Sequence, residues 1–350
     1  MLRYPDRNTA HPSLSRLRYT GGFFIGPKVS TYARPHLSFV DQLALLKSRG
    51  LTVSNDATAL SYLRRLGYYR LSAYWYPFRK REMKEVDGKL SYVVYDAFQP
   101  GSTFQAAVDL YVFDKKLRML VMDGLERVEV AIRVDIAHHL GQLDTFAHTR
   151  AGLLHGDFAV KLGKSGKTAH SEWLAKHDSL IERSKEDFVS HYKAKHGLPL
   201  PVWVAIEVWD FGLLSHFFAG MKYADKAALA QRFGVPDPGL MESWLRTLNY
   251  LRNIAAHHSR LWNRNMVDQP KMPKVGQIPV FDACLPTVNV SRPYATLCIL
   301  SFLMRQICPS STWQQRVKAL MQAFPTVAVP RLEVAGMGCH KGWDAEAFWT

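Results

Sequence analysis

From Thr103 to Leu140 the chain reads TFQAAVDLYVFDKKLRMLVMDGLERVEVAIRVDIAHHL, with no proline and one glycine, Gly124. Apolar residues return every three or four positions throughout, which predicts one long helix or two nearly collinear ones. At 1.5 Å per residue such a helix spans roughly 55 Å. Other elements must pack along it, so the expected fold is mainly α, a helical bundle built around a long axis.

The flanking sequence extends that picture. Residues 1–35 are polar and punctuated by Gly and Pro, an irregular N-terminal arm. SFVDQLALLKSRG predicts a helix with Ser38 as N-cap and Gly50 as stop. SNDATALSYLRRLGYYRLSAYWYPF adds helical spacing at Leu60, Leu63 and Leu66 and an aromatic cluster over 68–78. Charge, an Asp87-Gly88 turn and a short β-like run over 79–100 predict a small hairpin. Residues 141–170 read as a His- and Gly-rich loop, and further helices are expected over 171–194, 201–220, 222–233, 238–264, 293–308 and 311–323. The expected organisation is an N-terminal helical and aromatic subdomain over 36–100, a helical core over 101–268, and a Pro-containing linker with a C-terminal helical pair and tail over 269–350.

Composition narrows the function classes. At 350 residues the chain can bury a substantial core, and 45 Lys and Arg against 30 Asp and Glu leave a net charge of +15. An excess of that size favours a polyanionic partner. The first residues lack the apolar segment of a signal peptide, and YATLCILSFLM is too short to span a bilayer. The four cysteines, Cys284, Cys298, Cys308 and Cys339, show no CxxC pairing. They suit neither a disulfide framework nor a zinc site, so a cytoplasmic protein without membrane, metal or cofactor is expected.

Several apparent motifs carry nothing. LGKSGKTAH (162–170) lacks the first glycine of a phosphate-binding loop, because Lys161 stands there. DFG at 210–212 has none of the companion motifs of a kinase. His138 and His139 are adjacent, so a helix points them apart and they cannot form an i, i+4 metal pair.

The chemistry concentrates in NYLRNIAAHHSRLWNR, residues 249–264. On a helical wheel for 242–264, Glu242, Arg246, Asn249, Arg252, Asn253, His257, Arg260, Asn263 and Arg264 share one polar arc, interrupted by Ala256. His258 falls on the opposite, apolar side and reads as a core histidine. An ordinary solvated helix face carries Lys and Glu, whereas this arc has no lysine. Guanidinium forks suit phosphate and imidazole titrates near neutrality, so an Arg and a His about a turn apart offer a phosphate clamp beside a general acid/base. Arg246, Arg260 and Arg264 on the same arc are candidates for binding phosphates.

Other charged residues have plainer readings. Glu126, Glu129 and Arg133 share a face of the long helix and suit an intrahelical ion-pair ladder. Glu207 lies in an apolar setting between Trp203 and Trp209 and calls for an arginine partner from the bundle. The aromatic cluster YYRLSAYWYPF could stack bases, with Arg70 and Arg79 on phosphates, but packing is the preferred reading.

RNIAAH (252–257) matches the R-x4-6-H pattern of HEPN ribonucleases, and RNIAAHHSRLWNR closely resembles the bacterial Abi-like proteins of the AbiD/AbiF type, implicated in abortive phage infection. The resemblance continues upstream in order through HLSFVDQLALLKSRGL, LRRLGYYRLSAYWYPF, LYVFDKKLR, ERVEVAIR, LPVWVAIEVWDFGLLSHFF and SWLRTLNYLRN, covering about residues 36–265. It implies a HEPN-type helical domain that dimerises, with Arg252 and His257 as the catalytic pair and Asn253 as their polar companion. It further implies metal-independent cleavage of RNA, leaving 2′,3′-cyclic phosphate and 5′-hydroxyl ends in phage defence. A small RNA or an antitoxin-like protein is a candidate partner. The double histidine leaves His258 as a second candidate, with Glu129, Arg133 and Glu207 behind it. The competing reading is a non-catalytic RNA-binding or regulatory module, and a DNA reader ranks last because no helix-turn-helix spacing is evident.

Overall fold

The computed structural model describes residues 35–86, 89–329 and 332–349. The expected arm over 1–34 and the Asp87-Gly88 turn lie outside them. Within them the protein is mainly helical, with one two-stranded antiparallel sheet.

Helix α1 (Phe39–Ser48) starts where expected: the Ser38 side chain accepts from the Asp41 N–H at 3.2 Å. Gly50 follows with a φ of 92°, the left-handed region in which glycine carries no steric penalty. Helices α2 (Asp56–Leu66) and α3 (Tyr68–Trp75) come next. Strands β1 (Arg79–Val86) and β2 (Lys89–Phe98) pair antiparallel, with a bulge between Arg79 and Arg81.

The long segment is a single helix, α4 (Phe104–Leu143). Leu110, Leu117, Val121, Leu125, Val128, Ile132, Ile136 and Leu140 are buried along one seam. Helices α3, α8, α9, α10, α11, α12 and α13 all pack against α4, which makes it the axis of the fold. Gly124 has a packing reason: a Cβ there would lie 2.9 Å from the indole of Trp313, whose Nε1 donates to the Leu120 carbonyl at 2.7 Å.

After α4 come α5 (Gly156–Ala159), α6 (Ala169–Arg183), α7 (Asp187–His196), α8 (Val202–Ala205), α9 (Phe211–Gly220), α10 (Tyr223–Arg232) and α11 (Pro238–Ala256). The chain closes with α12 (Pro293–Ile307) and α13 (Trp313–Gln322). Helix α12 is buried on every side from Pro293 to Met304, as its uniformly apolar sequence requires. One hydrophobic core runs from Leu43 to Trp349, so the three expected segments beyond the arm share it.

Three expected helices are shorter than periodicity suggested. The 171–194 helix breaks after Arg183, so that α6 and α7 fold over a satellite core of Ile181, Val189, Leu200, Val204 and Ala205. Lys193 donates to the carbonyl of Ile181 at 2.5 Å and satisfies an end group of α6. The 201–220 helix breaks at Trp209, because Asp210 caps α9 by accepting from the Leu213 N–H at 2.7 Å. DFG is therefore a helix start. The 238–264 helix stops at Ala256.

Candidate functional site

Helix α11 begins at a capped proline: Asp237 accepts from the Gly239 N–H at 2.7 Å and Pro238 occupies the first turn. Met241, Trp244, Leu245, Leu248, Leu251 and Ile254 are buried against α4, α9 and α12. The opposite side stays open. Arg246, Asn253 and His257 are exposed, and Asn249, Tyr250, Arg252 and Ala256 are half-buried beside them. The polar arc expected from the sequence is thus present as far as His257.

Beyond His257 the expectation fails. The His258 N–H bonds the Ala255 carbonyl at 3.1 Å and the Ser259 N–H bonds the Ile254 carbonyl at 3.0 Å, the paired bonds of a Schellman helix end. His258 takes the left-handed position with a φ of 55°, the only positive φ outside glycine among the described residues. It is exposed, so its expected place in the core is corrected. The wheel assumed that the helix continued; a left-handed residue reverses the chain and sends Leu261 and Trp262 inward, where both are buried. Arg260 then turns to α3 and donates to the carbonyl of Ala73. Arg264 comes back to α11, its Nε 3.4 Å from the Tyr250 hydroxyl.

The turn is clamped from a distance. The Asp114 carboxylate, fully buried, accepts from the N–H groups of Leu261 at 3.0 Å and Trp262 at 2.7 Å, and from the Tyr74 hydroxyl at 2.7 Å. Arg118, one turn along α4, forms an ion pair with Asp114 and reaches the Ser259 carbonyl at 3.3 Å. Arg70 of α3 donates to the His258 carbonyl at 3.0 Å. Burial pushes the Asp114 carboxyl above its ordinary range, while Arg118, the Tyr74 hydroxyl and the two peptide N–H groups pull it back. Burial also raises the Tyr74 phenol, and Asp114 adds to the effect, so Tyr74 keeps its proton and donates it.

Sequence reasoning did not single out Asp114, Arg118 or Tyr74. The available signal was the acid in YVFDKKL, a charge on the apolar seam of a helix with an arginine four residues on. The aromatic cluster packs as preferred, with Tyr74, Trp75 and Phe78 buried. Arg79 pairs with Asp96 at 3.1 Å.

A second charged group is centred on Arg133 of α4. Arg133 pairs with Glu129 at 2.7 Å, the expected rung along α4, and donates to the Trp209 carbonyl at 2.8 Å. That carbonyl is free because the helix breaks there. Glu207 finds its arginine in Arg133, at 3.8 Å. Burial raises the Glu129 carboxyl, and Arg133 and then Arg252 hold it down. Arg252, half-buried on α11, thus acts on the Glu129 carboxylate through its charge.

The arrangement offers the exposed imidazole of His257, the guanidinium of Arg252 and the carboxamide of Asn253 on an open helix end, with the exposed His258 ring beside them, supported by bonds to α3 and α4. Among the described residues, no group of three or more His, Cys, Asp or Glu is placed to hold a metal ion, and no helix is long and apolar enough to cross a membrane. The sequence model of a family described as Abi-like protein matches residues 61–263. Comparison with curated proteins and with solved structures returns no match. The matched span contains the clamp residues Arg70, Tyr74, Asp114 and Arg118 together with Glu129, Arg133, Glu207, Arg252 and His257.

Proposed function

The chain belongs to the family of Abi-like proteins, and on that footing we propose that it is an abortive-infection ribonuclease of the HEPN type, cutting RNA through Arg252 and His257 without a metal. One observation carries the reading. Arg252, Asn253 and His257 lie along an open helix face whose end is held by bonds from Arg70, Asp114 and Arg118.

RNA brings its own nucleophile, so the protein has to move protons and stabilise charge. His257 takes the proton from the 2′-hydroxyl as that oxygen attacks the adjacent phosphorus, or returns one to the departing 5′-oxygen. Arg252 faces the negative charge that builds on the phosphorane oxygens. Asn253 orients the phosphate beside them. The products are a 2′,3′-cyclic phosphate and a 5′-hydroxyl.

On an ideal helix Arg252 and His257 project about 140° apart, too far to converge on one phosphate unaided. A homodimer with the open faces of α11 opposed across a twofold axis would give each His257 the partner's arginine. Arg246 and Arg264 flank that face and would raise its potential for RNA.

The test is incubation of purified protein with RNA in EDTA, followed by analysis of the ends. Cyclic phosphate ends from the wild type, and none from Arg252→Ala or His257→Ala, support the proposal. RNA that is bound but never cut would leave the non-catalytic reading. Mixing the two variants tests the shared site, because a symmetric dimer with composite centres regains part of the activity.

A further inference from the structure

Helices α2 and α4 enclose a groove of about 490 Å³. Tyr111, Lys115 and Met119 follow one line along α4 at i, i+4 and i+8, with Lys116 beside them. Tyr62 and Arg65 face them from α2. Arg65, Lys115 and Lys116 are exposed, and Met119 is 62% exposed. None of the lining residues is a carboxylate, and among the described residues none of the three cations is in an ion pair.

We propose that this groove binds a single-stranded segment of RNA, with a base seated between Tyr62, Tyr111 and Met119 and the flanking phosphates on Arg65, Lys115 and Lys116. Two tyrosine rings and a thioether give a flat apolar seat, and three unpaired cations at its rim select an anion. The volume is that of a site for a nucleotide-sized group. A duplex hides its base faces and cannot use the seat.

The groove is also tied to the clamp. The Tyr111 ring meets the Tyr74 ring edge-to-face at 5.4 Å, and the Tyr74 hydroxyl bonds the Asp114 carboxylate that holds the turn after His257. A strand lying in the groove therefore rests one side chain away from the support of the proposed centre. The inference rests on RNA being the ligand of this protein, and not on RNA being cut.

The probe is a short 2′-O-methyl oligouridylate carrying fluorescein, which lacks the nucleophile for cleavage and can be used with the wild-type chain. The inference predicts that Lys115→Glu with Lys116→Glu weakens binding about tenfold or more and lowers the salt slope of binding by about two. Tyr62→Ala should weaken binding about fivefold at an unchanged salt slope, and should abolish the quenching of a 2-aminopurine placed in the strand. Circular dichroism verifies that each variant is folded. Equal affinity of the wild type and the lysine variant overturns the site. Equal affinity for a duplex, or unquenched 2-aminopurine in the wild type, overturns the base seat. Failure of the cleavage reading is separate: it would show as RNA held in the groove and never cut.

Discussion

Asp114 and Leu261 stand 147 positions apart, yet the carboxylate of one accepts the peptide N–H of the other at 3.0 Å. The same carboxylate accepts from Trp262, Tyr74 and Arg118, so one buried acid fixes where the chain goes after His257. Removing its charge leaves Arg118 buried without a counter-ion. Asp114→Asn is expected to lower stability by about 3–5 kcal/mol, the usual cost of breaking a buried pair from one side. Urea denaturation measures it, and a change under about 1 kcal/mol would show that the clamp contributes little.

The two adjacent histidines are expected to respond in opposite ways. A left-handed conformation costs an ordinary residue about 1–2 kcal/mol, while glycine adds roughly 0.5–1 kcal/mol of unfolded-chain entropy. His258→Gly should therefore leave stability unchanged or raise it by up to about 1 kcal/mol, and RNA cleavage should persist. His257→Ala should keep the melting temperature and lose cleavage. Loss of cleavage in His258→Gly with retention in His257→Ala would reverse the assignment.

Gly124→Ala sets two effects against each other. Helix propensity favours alanine by about 1 kcal/mol. The new Cβ would sit 2.9 Å from the Trp313 indole, which is held by its bond to Leu120, and overpacking of this kind costs about 1–3 kcal/mol. A net loss of about 1 kcal/mol is expected by thermal denaturation. Combining the change with Trp313→Leu should make the glycine substitution much less costly than it is alone.

Acid should destabilise the protein partly through His148. Burial holds its ring down to about 3 from an ordinary 6.5, with His177 and His170 adding to the effect and Asp144 opposing it. Because the folded value lies below the unfolded one, the unfolded chain binds the proton first. The stability this group contributes is complete above about pH 6.5 and drains away as pH falls toward 3. His177 shifts the same way through burial, against the pull of Asp178. His148→Phe should flatten the fall in melting temperature between about pH 7 and 4. An unchanged slope would mean that other groups carry the acid response.

Much of this protein was legible along the chain, wherever local chemistry and burial agree. Ser38 caps α1 because its hydroxyl lies within reach of the Asp41 N–H, a contact settled over four residues. The periodicity of α4 and the unbroken apolar run of α12 reflect how many sides each helix buries. The polar stripe from Arg246 to His257 followed for the same reason.

What the tertiary structure alone decided was where helices stop and what holds the stops. Helix α11 ends at a histidine where a glycine would have announced it, and its reversal is secured by Arg70, Asp114 and Arg118 from α3 and α4. The break at Trp209 matters because it frees a carbonyl for Arg133, far away along the chain. Periodicity reports which side of a helix is buried, but a helix end is settled by whichever partners can satisfy its last peptide groups. When those partners lie a hundred residues away, only the folded chain brings them together.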